Sequence, residues 1–178
     1  MFKIMISFFI ALLSLSSLHA MDSAKGHYYV IPKALVIEGE PNNHDGLALA
    51  GDIGYGFGVD IGYSFAEHFA VEFATSYATN DVKESTNIIE GMYITYGIDL
   101  AYTHHFTEHF GILLKSGYGF EYEKVEAASI EETANGLTMA VGLEYGMSKR
   151  TEFVVELEKE FVHSTRGTGL FVGVKYKM

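Results

Sequence analysis

Fourteen consecutive residues, Asp52 to Phe65 (DIGYGFGVDIGYSF), alternate without a break. Ile53, Tyr55, Phe57, Val59, Ile61, Tyr63 and Phe65 are large and apolar or aromatic, and every residue between them is Asp, Gly or Ser. A period of two belongs to a pleated strand, whose successive side chains point to opposite faces, and to no helix. At ~3.3 Å per residue such a strand runs ~46 Å, and at a tilt of ~40° it still climbs ~35 Å, more than the ~25 Å apolar band of a membrane barrel.

Seven further segments share the pattern. The first, His27 to Ile37, contains Pro32, which belongs at an edge, a strand start or a bulge; the preferred register puts Tyr28, Val30, Ala34 and Val36 on the apolar face and Lys33 on the other. The others are Phe69 to Ala78, Met92 to His104, Phe110 to Glu123, Leu137 to Gly146, Phe153 to Phe161 and Thr168 to Met178. Tight connections at residues 65–69, 106–110 and 147–151 alternate with longer polar ones at Glu38 to Ala50, Asn80 to Gly91, Lys124 to Asn135 and His163 to Gly167. Phe65, Phe106 and Met147 are 41 residues apart, so the repeated unit is strand, long loop, strand, tight turn. It is a hairpin repeat, not a solenoid.

Which face points outward is decided by volume. Eight strands enclose room for one layer of side chains or one small ligand, too little for the bulky apolar faces. The opposite faces hold Gly54, Gly56, Gly58, Gly62, Gly97, Gly117, Gly119, Gly142, Gly146 and Gly173, which fit a narrow interior and would only weaken a solvent face. Tyr and Phe recur near strand ends, as in the aromatic girdles at lipid interfaces. The pattern predicts an all-β fold, an eight-stranded antiparallel up-and-down transmembrane β-barrel.

The opening MFKIMISFFIALLSLSSLHA has a basic start, an apolar run too short to span a bilayer and a small residue at Ala20. It reads as a signal peptide at residues 1–20, with residues 21–178 as one barrel domain in the outer membrane of a Gram-negative type envelope. No Cys follows it, which excludes a lipid anchor and a disulfide framework. Removing residues 1–20 leaves 178 − 20 = 158 residues with 11 basic and 23 acidic groups, a formal charge of −12. That balance excludes nucleic acid as a partner.

With HYYVIPKALV at the start, Gly-x-Asp-x-x-Tyr at Gly58 to Tyr63 and at Gly97 to Tyr102, and GVKYKM at the end, the whole mature chain resembles the small OmpA/OmpX-type outer-membrane barrels. The resemblance implies a polar plugged lumen and a C-terminal strand read by the outer-membrane assembly machinery. Gly173 and Tyr176 match that signal, whereas Met178 replaces the usual Phe while keeping the lipid-facing parity. Outer-membrane lipid and lipopolysaccharide are the expected surroundings, the expected state is a monomer, and the loops name no surface partner.

With the apolar face outside, Lys33, Asp60, Glu72, Asp99, Lys115, Glu121, Glu144, Glu156 and Lys175 point into the lumen. Unpaired buried charges are costly, so a network is expected in which the three lysines are shared among the acids. His68, His104, His105 and His109 lie near the tight turns, but they are split between turns and strand ends, and a metal site needs three or four converging ligands. No metal and no cofactor is expected. Two alternatives to a structural or surface-interaction role, in adhesion or envelope integrity, remain: a small porin-like channel, and a lipid A hydrolase built on Glu160, His163 and Ser164. Related lipid A deacylases carry His-x-Ser-Asn and a Glu, with His activating Ser; here the run is His163-Ser164-Thr165-Arg166, with the spacing wrong and no Asn. No enzymatic activity is expected.

Overall fold

The computed structural model describes residues 26–44, 47–84, 87–125, 130–162 and 164–178. The expected signal peptide, residues 1–20, lies outside the described residues. Nine strands follow in order: β1 (His27–Glu38), β2 (Pro41–His44), β3 (Leu47–Ser64), β4 (Phe69–Glu84), β5 (Asn87–His105), β6 (Phe110–Val125), β7 (Ile130–Gly146), β8 (Thr151–Glu160) and β9 (Thr168–Lys177). Each pairs antiparallel with its neighbours, and β1 lies between β9 and β3, which closes the sheet. Strand β2 continues β1 along β3 in an unchanged register, Ile37 opposite Gly54 and Pro41 opposite Ala50. The nine segments therefore make eight staves of one barrel.

The faces follow the parity of the sequence. Along β3, Ile53, Tyr55, Phe57, Ile61 and Tyr63 are exposed on the outer wall, while Gly54, Gly58, Asp60 and Gly62 are buried. Pro32 pairs with Val59 of β3, and the ladder to β9 skips from Val30–Tyr176 to Lys33–Gly173. The gap falls beside the one residue there that has no N–H to give. Tyr28 and Val36 face outward and Lys33 inward, and the inner face of β1 is otherwise apolar, with Tyr29, Ile31, Leu35 and Ile37 buried.

Three stretches expected as polar loops are largely strand. Pairing between β3 and β4 continues to Leu49–Glu84, between β4 and β5 to Glu84–Asn87, and between β6 and β7 to Val125–Ile130. There the exposed face carries Asp81, Lys83, Glu90, Glu131 and Thr133, so the ladder persists while the apolar alternation that reveals it disappears. A register shift between Gly51 and Gly54 bulges β3 where this extension starts. Above it, Leu49, Val82, Ile89, Val125 and Ile130 turn inward and form a buried cluster that caps the barrel. Strands β8 and β9 have no such extension, and between them Ser164, Thr165 and Arg166 are buried in the mouth.

Candidate functional site: the filled lumen

The interior is built in tiers, because inward positions recur every second residue and β8 alone offers Glu152, Val154, Glu156, Glu158 and Glu160 to successive levels. At the tight-turn end, Lys175 bonds Glu144 and lies 3.8 Å from Glu152, which also holds Lys177 at 2.5 Å. Next come buried Tyr29, Ile31, Ala70, Ala101, Leu113 and Val154. The central tier is charged. Lys115 Nζ sits 2.9 Å from Asp60, 2.5 Å from Glu72 and 3.0 Å from Glu156, and Lys33 Nζ sits 2.7 Å from Asp60 and 3.3 Å from Glu156. Tyr29 donates its hydroxyl to Glu72 at 2.5 Å, tying this tier to the one below.

Above lie Leu35, Ile37, Ala78, Tyr93 and Phe171, with the Lys33 ammonium 4.3 Å from the Phe171 ring centre. The upper charged tier is organised by Arg166. Its guanidinium reaches Glu160 at 2.9 Å, Glu121 at 3.1 Å and Glu158 at 3.5 Å. Thr165 donates to Glu123 at 2.6 Å, and Tyr93 lies 2.6 Å from Thr165 and donates to Asn80 at 2.9 Å.

All nine expected lumenal residues are buried, but the lysines do not serve all the acids. Asp99 accepts from the Thr138 hydroxyl at 2.5 Å, and Glu121 pairs with Arg166. Arg166 and Tyr29 are contributors the sequence reading missed. The signal for Arg166 was the run Glu156, Glu158, Glu160 on one inner face, more acid than three lysines can neutralise.

The hydrolase alternative finds its residues differently employed. Glu160 is held by Arg166, and the Ser164 hydroxyl accepts the Arg166 backbone N–H at 3.3 Å. His163 lies outside the described residues. The histidines near the tight turns are spread as well: His68 and His109 cap carbonyls of separate strands, and His105 Nε2 stands 3.9 Å from both Glu144 and Glu152. Among the described residues no three His, Asp or Glu side chains form a metal cluster.

Outside the belt of exposed apolar side chains, Asp52 pairs with Lys83 at 2.7 Å. The Lys83 ammonium, helped by the Ile53 N–H, holds the Asp52 carboxyl below the usual carboxylate range. Of the C-terminal residues expected as the assembly signal, Gly173 points inward on β9, while Tyr176 and Met178 are exposed on the outer wall.

A family model described as an outer membrane protein beta-barrel domain matches residues 8–177. No curated protein matches the chain in sequence. Among solved structures, the outer membrane protein OprG of Pseudomonas aeruginosa is similar, with a TM-score of 0.68 and 14% identity over 86% of this chain and 96% of its own. Neisserial surface protein A has a TM-score of 0.63 and 16% identity over 85% of this chain and 97% of its own. Ail, the attachment invasion locus protein of Yersinia pestis, has a TM-score of 0.57 and 16% identity over 85% of this chain and 99% of its own. At these identities the likeness is one of fold.

Proposed function

The chain belongs to the outer membrane protein β-barrel family, and from that premise we propose that it serves as a non-conducting membrane anchor that presents its tall hairpins at the cell surface. The observation that carries this reading is the filled lumen: two apolar tiers separate three charged ones, and a third apolar cluster lies over the top. A hydrated ion crossing the barrel would have to break each tier in turn. Lipid and lipopolysaccharide surround the belt, the assembly machinery reads Gly173, Tyr176 and Met178, and residues 1–20 are a leader removed on export. The protein acts as a monomer and catalyses no reaction, since Glu160 is committed to Arg166. Adhesion or envelope integrity then rests on the surface hairpins. Ail, whose name describes attachment, supports this only as a similar fold.

The porin-like alternative is separated by conductance. Purified protein inserted into planar bilayers is expected to give no discrete current steps. Regular steps in the unmodified protein would replace the anchoring role with a channel role. Mass spectrometry of lipid A from cells expressing the protein should show no change, and loss of an acyl chain would restore the hydrolase.

A further inference from the structure

The three tight turns occupy equivalent places in the 41-residue unit, and their fourth positions are His68, His109 and Arg150. The equivalence holds in the backbone. The carbonyl of each accepts an N–H from the next hairpin or the last strand: Thr103 to His68 at 2.9 Å, Gly146 to His109 at 2.7 Å and Lys177 to Arg150 at 2.8 Å. In the first two turns, both Phe-x-Glu-His-Phe, the ring is also fixed, with Nδ1 of His68 3.0 Å from the Thr103 carbonyl and Nδ1 of His109 3.2 Å from the Gly146 carbonyl. A carbonyl only accepts, so Nδ1 is the donor in each. These rings stand 5.8 Å from Tyr102 and 6.0 Å from Tyr145.

Charge distinguishes the third turn. The chain has 23 acidic and 12 basic residues, yet Lys149 and Arg150 stand side by side, both exposed. They follow exposed Met147 and precede Thr151, which pairs with exposed Tyr176, an apolar and aromatic rim of the kind that such barrels place at a lipid interface. The histidine turns differ. Each carries an acid, Glu67 or Glu108, and neither has a Lys or Arg. Around the His68 ring stand Tyr102, His104 at 5.9 Å and, lining the same mouth of the lumen, His27, Tyr29, His105 and the pairs Lys175–Glu144 and Lys177–Glu152; Tyr145 faces His109.

We propose that the third tight turn is a site for anionic phospholipid headgroups of the inner leaflet, bound through Lys149 and Arg150, and that the acids Glu67 and Glu108 disfavour the same headgroups at the other two turns. The proposal rests on the membrane placement above, with the short turns on the periplasmic side. The chain has Tyr and no Trp, so quenching of tyrosine fluorescence by brominated lipids reads both. Brominated phosphatidylcholine reports insertion, and failure to quench would overturn the placement itself. Brominated phosphatidylglycerol should be preferred roughly twofold. The double variant Lys149→Gln, Arg150→Gln should lose the preference, and since neither side chain is buried it should fold normally. Glutamine at both Glu67 and Glu108, which are exposed as well, should strengthen it. Equal quenching by both lipids, or a preference that survives Lys149→Gln, Arg150→Gln, would overturn the site; a preference unchanged by Glu67→Gln, Glu108→Gln would overturn the part given to the other two turns.

Discussion

Lys115 shares its ammonium among Asp60, Glu72 and Glu156, all within 3.0 Å, whereas Lys33 shares with only two of them. Replacing Lys115 by Met would leave Glu72 with the Tyr29 hydroxyl as its remaining donor among the described residues and leave Asp60 and Glu156 to Lys33. Loss of one member of a buried ion pair costs about 3–5 kcal/mol, so Lys115→Met should lower the urea midpoint of the detergent-folded barrel, and further than Lys33→Met does. An unchanged midpoint would remove Lys115 from the network. The exposed Asp52–Lys83 pair is the control. A carboxyl held below its unfolded value adds stability at pH above that value and loses it as the pH falls through the folded one. Solvent screens this pair, so Asp52→Asn should leave the midpoint where it is at neutral pH. That Lys115 and Asp60 turn inward was legible from parity alone. Which acid meets which cation was not, because pairing across the lumen depends on stave order and side-chain reach, and Arg166 enters from a connection whose sequence carries no period.

Along β3 the alternation that makes the strand recognisable also sets what each position tolerates. A Cβ on Gly56 would lie 2.0 Å from the Tyr77 carbonyl oxygen and 2.8 Å from Ala78 Cα, both backbone atoms of the neighbouring stave. Phe57, one residue on, is 63% exposed on the outer wall. Gly56→Phe should therefore block assembly, seen as loss of the heat-modifiable band on a gel, while Phe57→Leu keeps the band; equal tolerance of both would reverse inside and outside. The tops of the staves were illegible for the same physical reason that the belt was clear. A face turned to lipid must be apolar and a face turned to water has no such constraint, so β4 through Asn80 to Glu84 and β7 from Ile130 to Asn135 read as loops although the ladder of β4 to β5 and that of β7 to β6 are continuous. Only their inner faces, with Val82 and Ile130 buried, keep the strand's rule, and one apolar residue in every other place over so short a run cannot be told from chance.

At the scale of the whole barrel the two rims are unlike. One carries turns of a few residues at 65–68, 106–109 and 147–150; the other carries hairpins in which β3 to β7 run 16 to 19 residues. About 9–11 residues cross a bilayer, so these staves must emerge from it, and they emerge on the side away from the tight turns. Short turns belong to the periplasmic side of such barrels and longer connections to the outside, the orientation that the proposed surface role needs. Glu90 is exposed on the emergent part of β5, and Lys149 is exposed in the third tight turn. The chain has no cysteine, so a single one introduced at either place is the only thiol present. A membrane-impermeant maleimide added to intact cells should label Glu90→Cys and leave Lys149→Cys untouched, and permeabilising the outer membrane should make both react. Labelling of Lys149→Cys alone in intact cells would mean that the hairpins face the periplasm. The surface role would then fall, and the anionic headgroups proposed to meet Lys149 and Arg150 would have to be those of the outer leaflet.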